Sequence, residues 1–175
     1  MTRTQLEHLI RACGEVSGER ELVIIGSQSI LGAIPNPPAS MTMSMEADIY
    51  IEHEPQKSDE IDGVLGEISP FHETHGYYAQ GVGPKTATLP AGWRDRVHLI
   101  ENSNTNGVRA LCLDPHDLAM AKYVAGRGKD LEFNREMAVH GFIDRLRLLA
   151  LIEEMPIEAS LRERVRARIE SSFVP

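Results

Sequence analysis

The chain reads as an α+β fold, a sheet-bearing core with flanking helices followed by a C-terminal helical segment. Three observations predict it. Short apolar runs bounded by turn residues recur between Glu21 and Cys112, as strands do. From Asp114 onward apolar residues fall at helical spacing, with breaks at Gly126, Gly128, Gly141 and Pro156. No internal repeat or low-complexity tract blurs that division, so strands dominate the first part and helices the last.

Leu6, Leu9, Ile10 and Cys13 predict a helix over 4–12, with Gly14 as its stop. Glu21 to Ile25 is a short apolar run between turn residues, a buried strand. Ser27 to Ala33 is a short helix that ends before Pro35, and the Pro35–Ser40 stretch can neither continue a helix nor join a central strand. Met45 to Glu52 is the second strand. Ser58 is placed to cap a helix over 59–68, whose first-turn acids suit the helix dipole. Further short strands are expected at Tyr77-Tyr78, Thr86–Thr88, Arg96–Glu101 and Val108–Cys112. Asp114 is the expected N-cap of the next helix, with Pro115 at N1 and Asp117 as a weak capping-box partner. Helices over 115–126, 129–140, 142–154 and 158–171 complete the chain. Residues 1–113 are thus expected to form the α+β core, with 114–175 packed on it in one compact unit.

Two features carry candidate chemistry. The run Leu22-Val23-Ile24-Ile25 closes on Gly26-Ser27. A strand entering a helix through Gly-Ser turns backbone N–H groups toward open space, where phosphate oxygens can be held. About twenty residues on, Glu46 and Asp48 stand at i and i+2 of a strand, so both carboxylates leave one face. Their mutual repulsion is relieved by a cation between them, and such hard oxygen donors suit Mg²⁺, or Mn²⁺ in its place. A phosphate cradle beside paired carboxylates is the equipment of nucleotidyl transfer. Each feature also has a plainer reading: an ordinary strand-to-helix turn, and the solvated face of an edge strand that continues through Glu52 and Glu54.

At these residues the chain resembles the DNA polymerase β-like nucleotidyltransferase superfamily. That group is marked by a hydrophobic strand, Gly-Ser or Gly-Gly, a spacer, and then alternating acidic and hydrophobic residues. Ser44-Met45-Glu46-Ala47-Asp48-Ile49 is similar to the Thr-x-Asp-hydrophobic-Asp-hydrophobic version of the AbiEii-type branch, which holds bacterial toxin nucleotidyltransferases and uncharacterised relatives. The block from Asp114 to Asp130 is similar to that branch's Lys-bearing helix followed by Ala-x-Arg-x-x-Asp, here Lys122, Ala125, Arg127 and Asp130. The resemblance spans roughly residues 20 to 140 and implies a nucleotidyltransferase-like mixed β-sheet core. It also implies Mg²⁺-dependent transfer from a nucleoside triphosphate to an RNA or protein acceptor, in a toxin–antitoxin setting with an antitoxin partner.

In that reading Gly26 and Ser27 hold the β- and γ-phosphates, while Glu46 and Asp48 bind the metal. Lys122 and Arg127 meet phosphate charge, and Asp130 pairs with the lysine, supports metal binding or serves as base. On spacing alone Lys122 reads as a snorkelling lysine, its stem packed and its ammonium in water. The chain departs from the pattern in having Glu46 where Asp is usual and a long spacer through Pro35-Asn36-Pro37-Pro38. The third acid is open among Asp95, Glu101 and Asp130. These departures define the alternative, a catalytically degraded nucleotidyltransferase fold that binds a nucleotide or a protein partner.

Composition narrows the classes further. The net charge of −8 lies wholly in residues 1–108, with 15 acidic and 7 basic side chains, whereas 109–175 holds 11 of each. A field of that sign disfavours a long nucleic-acid groove while accepting a metal-bound nucleotide. No apolar run reaches the roughly twenty residues of a membrane span, and no signal-peptide h-region is visible, so a cytoplasmic protein is expected. Cys13 and Cys112 lack a CxxC context and read as reduced structural thiols. The seven histidines show no zinc spacing and are assigned to surface and core roles.

Overall fold

The structure, a computed structural model, describes residues 1–174. Two compact units divide it, one of Met1–Thr86 with Val97–Leu113, the other of Ala87–Arg96 with the chain from Asp114 onward. The first is a five-stranded mixed sheet with helices. Its strands are β1 (Glu21–Ile24), β2 (Glu46–Tyr50), β3 (Tyr78–Gly81), β4 (His98–Ile100) and β5 (Arg109–Cys112), in the spatial order β3-β2-β1-β5-β4. β1 runs parallel to β5 and antiparallel to β2, β2 runs parallel to β3, and β4 runs antiparallel to β5. The apolar run of β1 takes the centre, and Leu22, Val23 and Ile24 are all buried.

Helix α1 (Arg3–Ser17) begins with a capping box between Thr2 and Gln5. It passes through Gly14 and stops at Gly18, whose φ of 73° is the left-handed cap that glycine supplies. Gly14 serves packing instead, since a Cβ there would collide with the Val108 side chain. After β1, a 3₁₀ turn at Ser27–Ser29 runs into α2 (Ile30–Ala33), as the sequence suggests. Helix α3 (Ser58–Leu65) is shorter than expected, and Ser58 does not cap it. A 3₁₀ turn over Pro55–Lys57 feeds straight into the helix and leaves Ser58 in its first turn, buried. Helix α4 (Pro70–His75), capped by Ser69, has no counterpart in the sequence reading, because six residues carry too little periodicity to register. The strand expected at Thr86–Thr88 is turn and coil.

The second unit contains α5 (Pro115–Ala125), α6 (Gly128–Val139), α7 (Arg145–Leu151) and α8 (Ala159–Ser172). Asp114 caps α5 as predicted, accepting from the His116 N–H at 2.9 Å. Asp117 does not complete a capping box. It is fully buried and receives a bidentate pair from Arg96, with Nε to Oδ2 at 2.9 Å and Nη2 to Oδ1 at 2.8 Å. That pair ties residues 87–96 to the helices, together with the Ala91 N–H donating to the Glu154 carbonyl at 2.9 Å.

Candidate active site

The predicted residues fall into two groups, one in each unit. In the sheet unit, β2 shows the alternation its sequence encodes, with Ala47 and Ile49 fully buried and Glu46 and Asp48 half-buried on the opposite face. The Ile25 N–H donates to the Asp48 carbonyl at 3.1 Å, which locks the end of β1 beside the second acid. There Gly26 lies so close to Asp48 that a Cβ built on it would fall 2.7 Å from the carboxylate carbon and collide with one of its oxygens. The backbone at Gly26 has φ −74°, open to any residue. A side chain at position 26 would have to displace the Asp48 carboxylate, so the Gly-Ser turn lies directly against the acidic strand. Ser27, half-exposed, opens the 3₁₀ turn, and the Ser29 N–H closes it on the Gly26 carbonyl at 3.0 Å.

Strand β3 contributes residues that sequence reasoning missed. Its parallel register sets Tyr78 beside Glu46 and Gln80 beside Asp48. The Tyr78 hydroxyl donates to Glu46 Oε2 at 3.0 Å. Burial, followed by that hydrogen bond and the charges of Glu46, Glu67 and Asp48, pushes the phenol up to about 12. Tyr78 is thus a neutral donor at any ordinary pH. Nothing in the local sequence announces this, because the contact depends on which strand lies next to β2.

The candidates for a third acid lie in different parts of the fold, with Asp95 and Asp130 in the helical unit. Glu101 follows β4, which lies three strand spacings from β2, on the order of 14 Å, and it pairs with Arg109 at 3.5 Å. Among the described residues, no three His, Cys, Asp or Glu side chains gather into a group able to hold a metal ion. Two carboxylates on one strand face still fit Mg²⁺ or Mn²⁺, because Mg²⁺ usually keeps several waters and borrows substrate phosphates to fill its shell.

In the helical unit, Lys122, Arg127 and Asp130 converge. Lys122 Nζ donates to Asp130 Oδ1 at 3.2 Å, and Arg127 Nε to Oδ2 at 2.6 Å. Gly126, at φ 65°, ends α5 in the left-handed conformation, and α6 opens two residues later with Asp130 in its first turn. Asp130 is 1% exposed. Burial raises its carboxyl, but the Arg127 hydrogen bond and the Lys122 charge outweigh this and hold it below the ordinary range. The lysine does not snorkel: it is buried, with its ammonium 4.4 Å from the centre of the Phe133 ring.

Two further polar assemblies have structural jobs. Glu7 accepts from Arg3, Asn102 and Asn104 at 2.8–2.9 Å and fastens α1 to the turn after β4. His116 pairs with Asp114 through Nδ1 at 2.9 Å, and its Nε2 accepts the Asp144 N–H at 2.9 Å. That second bond fixes the proton on Nδ1 and leaves the ring no nitrogen for catalysis. His8, His75, Phe71 and Tyr77 make a ring cluster with centroids 4.6–6.0 Å apart.

A five-stranded mixed sheet with flanking helices is consistent with a nucleotidyltransferase-like fold. Residues 4–172 match the family described as "Nucleotidyltransferase of unknown function (DUF6036)", and the chain belongs to that family. No curated protein and no solved structure matches the chain. Among the described residues no helix is long and apolar enough to cross a membrane.

Proposed function

We propose that this protein binds a nucleoside triphosphate with Mg²⁺ or Mn²⁺ at the joined β1–β2 site and transfers its nucleotidyl group to an RNA or protein acceptor. The close approach of Gly26 to the Asp48 carboxylate supports this reading, because it sets the Gly-Ser turn against one of the paired acids. Glu46 and Asp48 would hold the cation, which when bound supplies Lewis-acid polarisation and charge neutralisation to the phosphates. Backbone N–H groups at Gly26 and Ser27 would orient the triphosphate tail, with the Ser27 hydroxyl beside them. Glycine at 26 keeps the Asp48 carboxylate in place.

Lys122 and Arg127 are the cations assigned to phosphate by the resemblance, and their shared grip on Asp130 supports preorganised rather than flexible charge. A carboxylate held below its ordinary range accepts a proton weakly, so the geometry favours Asp130 as the residue that orients Lys122 over Asp130 as base. The AbiEii-type resemblance extends the proposal to a toxin–antitoxin role in a bacterial cytoplasm. Nucleotide binding without transfer is the second reading, favoured by the lack of a third metal-binding side chain near the pair among the described residues.

One experiment separates the two. Mn²⁺ and triphosphate binding are measured by calorimetry for wild type and Asp48→Asn, alongside transfer from an α-labelled triphosphate to candidate RNA and protein acceptors. Metal-dependent binding lost in Asp48→Asn, with label transferred, supports the enzyme. Binding without label in any acceptor supports the module, and equal Mn²⁺ affinity in both proteins overturns the site itself.

A further inference from the structure

We infer that Tyr78 is a positioning residue for the acidic pair, holding the Glu46 carboxylate in the orientation that a bound cation needs. The inference rests on the proposed reading of Glu46 and Asp48 as the cation's ligands.

An unbraced glutamate has three side-chain torsions to fix before it can ligate, whereas Asp48 is shorter and pressed against Gly26. Tyr78 supplies the missing constraint. The β2–β3 register places it directly beside Glu46, and its hydroxyl donates to Oε2 at 3.0 Å. One carboxylate oxygen is thereby occupied by a neutral donor, and the other is left for the metal. Hydrogen-bond partners that orient a ligating carboxylate are the usual means by which a protein sets a metal's affinity.

Tyr78 is braced in turn. The His72 ring lies 4.6 Å from the Tyr78 ring, and His72 Nδ1 accepts the Ile68 N–H at 3.1 Å. That bond fixes the imidazole tautomer and seats the ring. It comes from a residue at φ 66°, a conformation that β-branched side chains rarely adopt. The strained turn at Ile68, the His72 ring, the Tyr78 ring and the Glu46 carboxylate form a continuous support behind one ligand.

The test compares Tyr78→Phe with wild type and with Tyr77→Phe, a control whose hydroxyl meets His8 instead. Phenylalanine keeps the ring beside His72 and removes only the hydroxyl. Mn²⁺ affinity, read by electron paramagnetic resonance with a non-hydrolysable nucleoside triphosphate present to complete the shell, should weaken about tenfold or more in Tyr78→Phe and stay unchanged in Tyr77→Phe, with melting temperatures alike. Mg²⁺ addition should also perturb the near-ultraviolet absorbance of tyrosine in wild type and Tyr77→Phe, and not in Tyr78→Phe. Wild-type affinity in Tyr78→Phe, or a difference spectrum that survives the substitution, overturns the positioning role while leaving the metal site standing. Absence of Mn²⁺ binding by wild type overturns the metal site and the positioning role together.

Discussion

Gly26→Ala is the sharpest perturbation of the proposed site, because it adds one methyl group and asks the backbone for nothing. With φ at −74° the main chain accepts alanine. The added Cβ would sit 2.7 Å from Asp48 Cγ and 3.1 Å from Asp48 Cβ. Non-bonded carbons settle at about 3.5–4.0 Å, so the carboxylate must retreat by about 0.8 Å or more, most readily by rotating about χ1. A metal site tolerates ligand displacements of only about 0.2 Å, and Mn²⁺ affinity should fall at least about tenfold to a hundredfold. Stability should move far less. Alanine restricts the unfolded chain, worth about 0.4–1 kcal/mol, and crowding costs about 1–3 kcal/mol, so the net loss stays within about 2–3 kcal/mol. Calorimetric Mn²⁺ titration beside urea denaturation reads both quantities on one sample. Retention of wild-type Mn²⁺ affinity in a folded Gly26→Ala protein would refute the claim that Gly26 keeps room for a ligating carboxylate.

Other outcomes follow from the remaining contacts. Lys122→Met should cost about 1–3 kcal/mol by urea denaturation, more than loss of a solvated ammonium, because it leaves a buried carboxylate with one partner; transfer of labelled nucleotide should fall about a hundredfold, and Lys122→Arg should restore it only in part. Arg96→Met strips the bidentate partner from fully buried Asp117 and should destabilise the protein by about 3–5 kcal/mol in the same assay. Asp114 is held below its ordinary range: burial raises it, but the hydrogen bonds from His116 and the Arg147 charge prevail. Its contribution is therefore complete above the unfolded value near 3.9 and lost as pH falls through the folded one. Urea melts from pH 6 to pH 2.5 should show Asp114→Asn losing less stability than wild type across the acid range.

Most of what depends on local periodicity and turn chemistry was legible in the sequence. The α+β class, the central apolar strand, the Asp114 cap and the four C-terminal helices follow from hydrophobic spacing and from Gly and Pro positions. So does the placement of Glu46 and Asp48 on one strand face, since side-chain alternation is a property of the single strand. What pairs with what was decided only by the tertiary structure. The strand order β3-β2-β1-β5-β4 determines that Tyr78 meets Glu46 and that Glu101 is remote from it. Likewise Asp117 is drawn away from the helix cap by Arg96, twenty-one residues back. Gly26 reads in the sequence as half of a turn that presents backbone N–H groups, and the fold adds what spacing could not show, its close approach to the Asp48 carboxylate. Lys122, readable either as a solvated lysine or as a phosphate ligand, is buried between Asp130 and Phe133. Spacing along a chain fixes which side of an element a residue occupies, but the atoms facing it come from segments whose distance in sequence carries no information about their distance in space.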